Sequence, residues 1–264
     1  IGNYGGDSYL YENKPYLSLN SYSSGIGYYI GTVGNNELQW ETAKKSNIGI
    51  DVGILQNKLK FSVDYYHHLI SDQLTRNIAN PGSTGIANLV GNGLESVSKG
   101  LETSLAYDIF NFDKFKWSIN GNYSYNTSEI TKLKSDYVAI DGFKRYVVGH
   151  NPSEFYLAHY IGSDKSNGDA LWYTDATHKT ISNGSGASPI INRDFTGKNA
   201  MPKHTAGLTN TLSFKNWTLS ALATYAGDFY VYDLWERYFN ADGQDLKVNQ
   251  LADALNAWTP TNNT

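Results

Sequence analysis

The chain has no cysteine, which excludes structural disulfides and thiolate chemistry; an exported bacterial protein fits that composition. Charge is also scarce, at 17% of 264 residues, and the formal net charge is −4. That sign is wrong for gripping a phosphate backbone, so nucleic acid is not an expected partner. No run of ~18 apolar residues occurs, so no transmembrane helix is expected. There is no G-x-S-x-G elbow and no phosphate loop, and His67, His68, His150, His159, His178 and His204 show no metal-ligand spacing. These histidines read as interfacial or loop residues. No catalytic residue, cofactor or enzymatic activity is therefore expected.

Aromatic residues are abundant: 21 Tyr, 10 Phe and 6 Trp. Tyr and Trp join an apolar body to a polar tip and suit walls that meet both lipid and water. Three stretches, 46–68, 96–127 and 203–227, read as long β-hairpins with tight turns. In the first, Ile48, Ile50, Val52 and Ile54 alternate with Asn47, Gly49, Asp51 and Gly53. After Gln56-Asn57, Leu59, Phe61, Val63 and Tyr65 alternate with Lys60, Ser62, Asp64 and Tyr66. The second hairpin sets Val97, Leu101, Leu105, Tyr107 and Ile109 against Ser98, Glu102, Ser104 and Asp108. It turns at N-F-D-K and returns with Trp117, Ile119, Gly121, Tyr123 and Tyr125. The third places Ala206, Leu208, Leu212 and Phe214 on one face, turns at Lys215-Asn216, and returns with Trp217, Leu219, Ala221, Ala223 and Tyr225.

A strict period of two is the strand signal. Each strand is expected to run about 10 residues, the length a tilted strand needs to cross a bilayer. The second face carries Gly, Ser, Thr and Asn, which reads as a wet lumen and not a dry core. Short turns on one side and long polar segments (69–95 and 128–202) on the other match the two sides of an outer-membrane barrel. A polar mean hydropathy does not argue against this, because lipid-facing and lumen-facing residues alternate along each strand.

Residues 16–24 are expected to form a first strand, 25–45 a Gly- and Asn-rich loop, 144–163 a further strand pair, and 233–258 short helical turns. A bilayer tolerates strands only when every backbone group is paired, so the chain reads as a fragment of a longer one. The fold expected is all-β: a partial transmembrane antiparallel barrel of about seven to nine strands with long extracellular loops.

Several segments carry a resemblance. They are N-N-E-L-Q-W-E-T-A-K-K-S-N-I-G-I-D-V-G (35–53), L-K-F-S-V-D-Y-Y (59–66), N-G-L-E-S-V-S-K-G-L-E (92–102), Y-I-G-S-D-K-S-N-G-D-A-L-W-Y (160–173), G-K-N-A-M-P-K-H-T-A-G-L-T-N-T-L-S-F-K-N-W-T-L-S (197–220) and A-W-T-P-T-N-N (257–263). In this order the set resembles the SusC/RagA family of TonB-dependent outer-membrane transporters. The resemblance implies that residues 1–264 belong to one barrel domain whose plug, TonB-box and last strands lie outside the chain. It further implies a bacterial outer-membrane, multi-pass protein that imports glycans or peptides. Its implied partners are a SusD-like surface lipoprotein lid, the TonB complex acting through an N-terminal region, and outer-membrane lipid.

Phe155, Tyr156, Trp172 and Tyr173 are candidate substrate contacts, because aromatic faces near a barrel mouth can stack on sugar rings; an interfacial girdle or loop packing is the plainer reading. Asp164, Asn167 and Asp169 around Gly168 weakly resemble a calcium loop. Gly168 occupies a ligand position and no Glu closes the set, so an Asx-type turn is the plainer reading. Glu102, Asp64, Asp51 and Asp108 lie on polar strand faces, and nothing singles out a pair of the kind a glycosidase needs. A secreted all-β carbohydrate-binding or glycan-degrading sandwich and a structural barrel without transport are the alternatives.

Overall fold

A computed structural model of the chain describes residues 2–4, 14–22, 25–32, 34–79, 88–136, 138–139, 142–174, 177–178, 181–182, 193–240 and 247–262. The first strands are β1 (Gly2–Tyr4), β2 (Tyr16–Tyr22), β3 (Gly25–Thr32), β4 (Glu41–Ile54), β5 (Leu59–Ala79), β6 (Asn88–Asn111) and β7 (Phe115–Leu133). Short strands follow: β8 (Val138–Ala139), β9 (Arg145–Tyr146), β10 (Glu154–Ala158), β11 (Tyr160–Ser163), β12 (Ala170–Tyr173), β13 (Ile181–Ser182) and β14 (Arg193–Asn199). Then come β15 (His204–Phe214), β16 (Trp217–Gly227), helix α1 (Leu234–Phe239) and a 3-10 turn at Ala252–Asn256. The chain divides into two compact units, residues 1–153 with 201–229, and residues 154–200 with 230–264.

The first unit is built on a seven-stranded antiparallel sheet, β1-β4-β5-β6-β7-β15-β16, open at both edges among the described residues. Its three tight turns all lie at one end. Leu55, Gln56 and Asn57 make the first with left-handed φ of 53°, 57° and 64°. Phe112 and Phe115 exchange backbone hydrogen bonds across the second. Lys215, at φ 53°, makes the third, and its N–H donates to the Lys114 carbonyl of the neighbouring turn at 2.9 Å.

Register carries the two faces across all the strands. Ile48, Tyr65, Leu101, Tyr125 and His204 form one row. Val52, Phe61, Leu105, Gly121, Leu208 and Ala223 form another. This face is apolar yet uncovered: Ile48 is 75% exposed, Ile50 65% and Leu219 69%. A sandwich would bury one sheet face against a second sheet. The aromatic side chains gather at the two ends of the face. Phe110 meets Phe112, Phe115 and Trp117 at centroid separations of 5.8, 6.1 and 5.8 Å near the turns, and Tyr65, Tyr123, Tyr125 and Tyr225 lie toward the far end. Phe110 stands there because the ladder shifts between Asp108 and Phe110. The bulge takes Ile109 out of the alternation expected for it.

The expected hairpins are present but longer. β4 runs 14 residues, β5 21, β6 24 and β7 19, beyond the ten or so expected. The segment 69–95 is therefore mostly strand and not loop, and its middle, 80–87, lies outside the described residues. The loop expected over 25–45 is also corrected. β3 pairs with β2 as a separate hairpin, and β4 already begins at Glu41. Alternation was hidden there by Gly, Lys and polar residues, which strands beyond an apolar band can carry.

At this far end lies the small dry core of the unit: Val90, Leu94, Ile130 and Val138 are buried, Ile130 completely. Side-chain amides stitch the neighbouring loop to it. Asn92 Nδ2 donates to the Gln39 carbonyl at 2.8 Å, and its Oδ1 accepts from the Gln39 N–H at 2.8 Å. Asn35 Nδ2 reaches the Val90 carbonyl at 3.0 Å. These bonds mimic a strand ladder where the polar backbone would otherwise lose partners.

In the second unit, β10 pairs with β14, and β11, β12 and β13 make a three-stranded sheet. The strands expected within 144–163 exist, but they do not pair with each other as anticipated; β9, also within that span, pairs with β8 in the first unit. Helix α1 is capped by Asp233, whose carboxylate accepts from the Glu236 N–H at 2.9 Å. With the 3-10 turn it supplies the short helical turns expected over 233–258.

Candidate functional site

The polar face of the first unit holds a groove of about 760 Å³. Ser62, Asp64, Glu102, Ser104, Asn120, Asn122, Thr209 and Thr224 line it. They share a face because β register places Ser62 opposite Ser104, Asn122 opposite Gly207, and Gly207 opposite Thr224. Asp64 and Glu102 are direct cross-strand partners. Asp64 also accepts from Ser62 Oγ at 3.1 Å and from Asn47 Nδ2 at 3.5 Å. Asp51 and Asp108 stand opposite Ser62 and Ser118 instead. Asp64 and Glu102 thus meet across the ladder, whereas Asp51 and Asp108 stand apart on the same hydroxyl- and amide-rich wall. Tyr66 lies over Gly100, its cross-strand partner, where a Cβ would collide with the tyrosine ring and with the Tyr125 carbonyl. Glycine lets an aromatic ring lie flat on the wall there.

The aromatic candidates all fall in the second unit. Phe155 is buried, at 6% exposure, in β10. Tyr156, half-buried beside it, meets Phe195 edge-on at 5.1 Å. Trp172 and Tyr173 lie on β12: Trp172 packs on Tyr160 at 5.2 Å, and Tyr173 stacks on His178 at 4.6 Å. The structure therefore places the four on two separate sheets, each ring with an aromatic neighbour or a buried position.

Asp164, Asn167 and Asp169 form a turn. Asp164 Oδ1 accepts from the Ser166 N–H at 2.8 Å and the Ser166 hydroxyl at 2.6 Å. Asn167 Oδ1 accepts from the Asp169 N–H at 3.0 Å, and its Nδ2 donates to Asp169 Oδ2 at 2.9 Å. The bonds from Ser166 hold the Asp164 carboxyl below the usual range. These bonds make the segment an Asx-type turn.

Sequence reasoning passed over a cleft of about 710 Å³ in the same unit. Tyr160, Asn167, Asp169, Asn240, Gln250 and Trp258 are among its walls. Gly168, at φ +81°, lets the Trp258 ring lie against the backbone, with Cε3 only 2.5 Å from where a Cβ would stand. Among the described residues, Asn240 Oδ1, both amide atoms of Gln250 and Trp258 Nε1 are buried without a hydrogen-bond partner. Each such orphan costs ~1–3 kcal/mol. Trp258 stands in the A-W-T-P-T-N-N run, so the resemblance marked this stretch although its role there was not legible.

The comparisons fit this geometry. The family model for the TonB dependent receptor-like β-barrel matches residues 4–262. TonB-dependent receptor P3 of Formosa agariphila is 28% identical over 94% of this chain and 27% of its own length. TonB-dependent receptor SusC of Bacteroides thetaiotaomicron is 24% identical over 81% of this chain and 22% of its own length. A chain of the RagAB peptide transporter superposes with a TM-score of 0.79 at 26% identity, covering 96% of this chain and 28% of that one. The chain thus spans about a quarter of the length of these curated relatives, each of which is named a TonB-dependent receptor. From its two-faced strands to its family match, the chain belongs to the TonB-dependent receptor β-barrels of the SusC/RagA kind.

Proposed function

We propose that residues 1–264, as part of one barrel domain, form pore wall and mouth of a multi-pass outer-membrane importer that takes up glycans or peptides. One observation carries this reading: a single sheet with a continuous uncovered apolar face and a polar, grooved opposite face. The height of the apolar band supports it. Ten residue steps separate Phe115 from Tyr125 on β7. At ~3.4 Å per residue and a tilt of ~45° that is ~24 Å, against the ~25 Å band of barrel walls. The turn end would then face the periplasm and the long strands the exterior.

The wall performs no bond chemistry. Solute would pass along the Ser, Asn and Thr groove, gated by a plug and TonB complex acting outside this chain. In the second unit, the aromatic rings of Tyr156, Trp172 and Tyr173, the buried Phe155, and the orphaned amides of the Gln250 cleft suit contact with a solute or with a SusD-like lipoprotein lid. A peptide and a saccharide both bring the donors and acceptors that such a cleft needs. RagAB is a peptide importer, which supports transport of this class without choosing the cargo.

Single-cysteine labelling of the full-length receptor in intact outer membranes tests the wall. Asn122→Cys and Thr209→Cys react with a water-soluble maleimide, whereas Leu105→Cys and Leu208→Cys do not. Equal labelling of both pairs refutes a lipid-facing sheet.

A further inference from the structure

On the apolar face, just past the tyrosine row, the residue chemistry changes abruptly. Beyond the Ile48–Tyr65–Leu101–Tyr125 row comes Ser46–His67–Lys99–Thr127, and beyond that Lys44–Leu69–Val97–Glu129. Lys44, His67 and Lys99 therefore project from three adjacent strands on the lipid side of the sheet, and all three are exposed. His67 stands directly across from Lys99, and Lys44 is diagonal to His67. Cross-strand partners hold their Cβ atoms ~4.5–5.5 Å apart. Among the described residues, the one carboxylate near them on this face is Glu129, diagonal to Lys99. The carboxylates Asp64 and Glu102 point to the groove on the other side.

The height is as informative as the charge. Lys99 and His67 lie two residues beyond the tyrosine row and Lys44 four. At ~3.4 Å per residue and a tilt of ~45°, that is ~5 and ~10 Å past the edge of the apolar band. Headgroups occupy this depth, since they add ~5–8 Å to each side of a ~30 Å hydrocarbon core. A soluble anion would reach these side chains only from the side already taken by lipid. Lysine stems can lie along the apolar wall and hold their ammonium groups at the headgroup level.

We propose that Lys44, His67 and Lys99 form a clamp for the phosphate groups of outer-leaflet glycolipid, fixing lipid against strands β4, β5 and β6. The clamp rests on the reading that this wall spans the membrane. The two ammonium groups supply the charge, and the imidazole N–H supplies a further donor.

The test uses the full-length receptor extracted from its own outer membrane in mild detergent, with retained phosphorylated glycolipid measured by mass spectrometry. The wild-type receptor retains it. The Lys44→Gln/Lys99→Gln double variant retains about thirtyfold less, from the loss of two lysines at an anionic surface, and Lys44→Arg/Lys99→Arg retains it as the wild type does. Enzymatic removal of the lipid phosphates lowers retention as the Gln variant does. Washing with inorganic phosphate leaves it unchanged; displacement by phosphate alone would overturn a lipid clamp in favour of a free-anion site. Equal retention by the wild-type and Gln receptors overturns the proposal. If the cysteine pairs described above still label differently in that case, the wall reading stands and only the clamp fails.

Discussion

A one-residue shift along β15 should change the consequence of adding charge from severe to slight. Leu208 lies on the apolar face, four residues from the His204 row and six from Phe214, close to the middle of the band. Its neighbours across the ladders are Gly121 and Ala223, too small to shield a charge. Thr209 is the next residue, on the opposite face, and lines the groove. An arginine facing lipid at the midplane of a barrel costs ~2–4 kcal/mol, falling to ~0–1 near the interface. Leu208→Arg should therefore lower the stability of the membrane-inserted receptor by ~2–4 kcal/mol, a factor of ~30–1,000 in the equilibrium constant. Thr209→Arg leaves its charge in water and should stay within ~0.5 kcal/mol, the ordinary range for surface substitutions. Ser46→Arg, just past the tyrosine row, should fall within ~1 kcal/mol. Reversible denaturant unfolding of the full-length receptor in lipid vesicles measures all three. If Thr209→Arg costs as much as Leu208→Arg, the assignment of faces is wrong. If neither exceeds ~0.5 kcal/mol, this sheet does not face lipid.

Three further outcomes follow from local geometry. Gly100→Ala should destabilise by ~1–3 kcal/mol, measured by the same unfolding assay. Adding Tyr66→Ala should not restore stability, because the added Cβ also meets the Tyr125 carbonyl. Trp117 Nε1 donates to Asn210 Oδ1 at 3.1 Å on the apolar face. Trp117→Phe should cost ~1–3 kcal/mol by leaving the amide unpaired, whereas Trp117→Phe/Asn210→Leu should recover most of it; no recovery would show that this bond is not what matters. The Asp164 turn should be intact at neutral pH and weaken as pH falls. Its folded pKa lies below the ordinary carboxylate value, so its stabilisation is full above that value and is lost as the pH drops through the folded pKa. Exchange of the Ser166 and Gly168 amide protons reads this out; protection that rises on acidification would contradict it.

The wall was legible because lipid and water impose opposite demands on successive residues. Ile48, Ile50, Val52 and Ile54 alternate cleanly with Asn47, Gly49, Asp51 and Gly53, and the structure keeps every one on its expected face. Alternation fails as a signal beyond the apolar band, where neither face meets hydrocarbon. Lys44 and Lys45 straddle the sheet without contrast, and so do Glu95 and Ser96, which is why β4, β5 and β6 run well past the ends anticipated for them. Gly25–Thr32 shows the same blindness: G-I-G-Y-Y-I-G-T pairs as a strand while its glycines read as loop. Ile109 failed for a different reason. A bulge changes the parity of every residue after it, and nothing in A-Y-D-I-F-N announces one.

The second unit was hardest to read because its order comes from side chains far apart in sequence. Gly168 lies against Trp258, ninety residues later, and Tyr156 against Phe195. Periodicity reports only on what a residue's own strand buries, so it carries no trace of these pairings. The same limit explains the basic patch. Lys44, His67 and Lys99 are unremarkable polar side chains in three separate segments, and only the ladders Ser46–His67–Lys99 and Lys44–Leu69 bring them together. A lysine on a strand is ordinarily a solvated residue of little consequence. Two lysines and a histidine on the apolar side of a wall, just past its tyrosines, stand at the depth at which a bilayer offers fixed negative charge. What the alternating pattern could supply was the plane of the membrane; the register supplies which residues stand at its surface, and from that follows what they can hold.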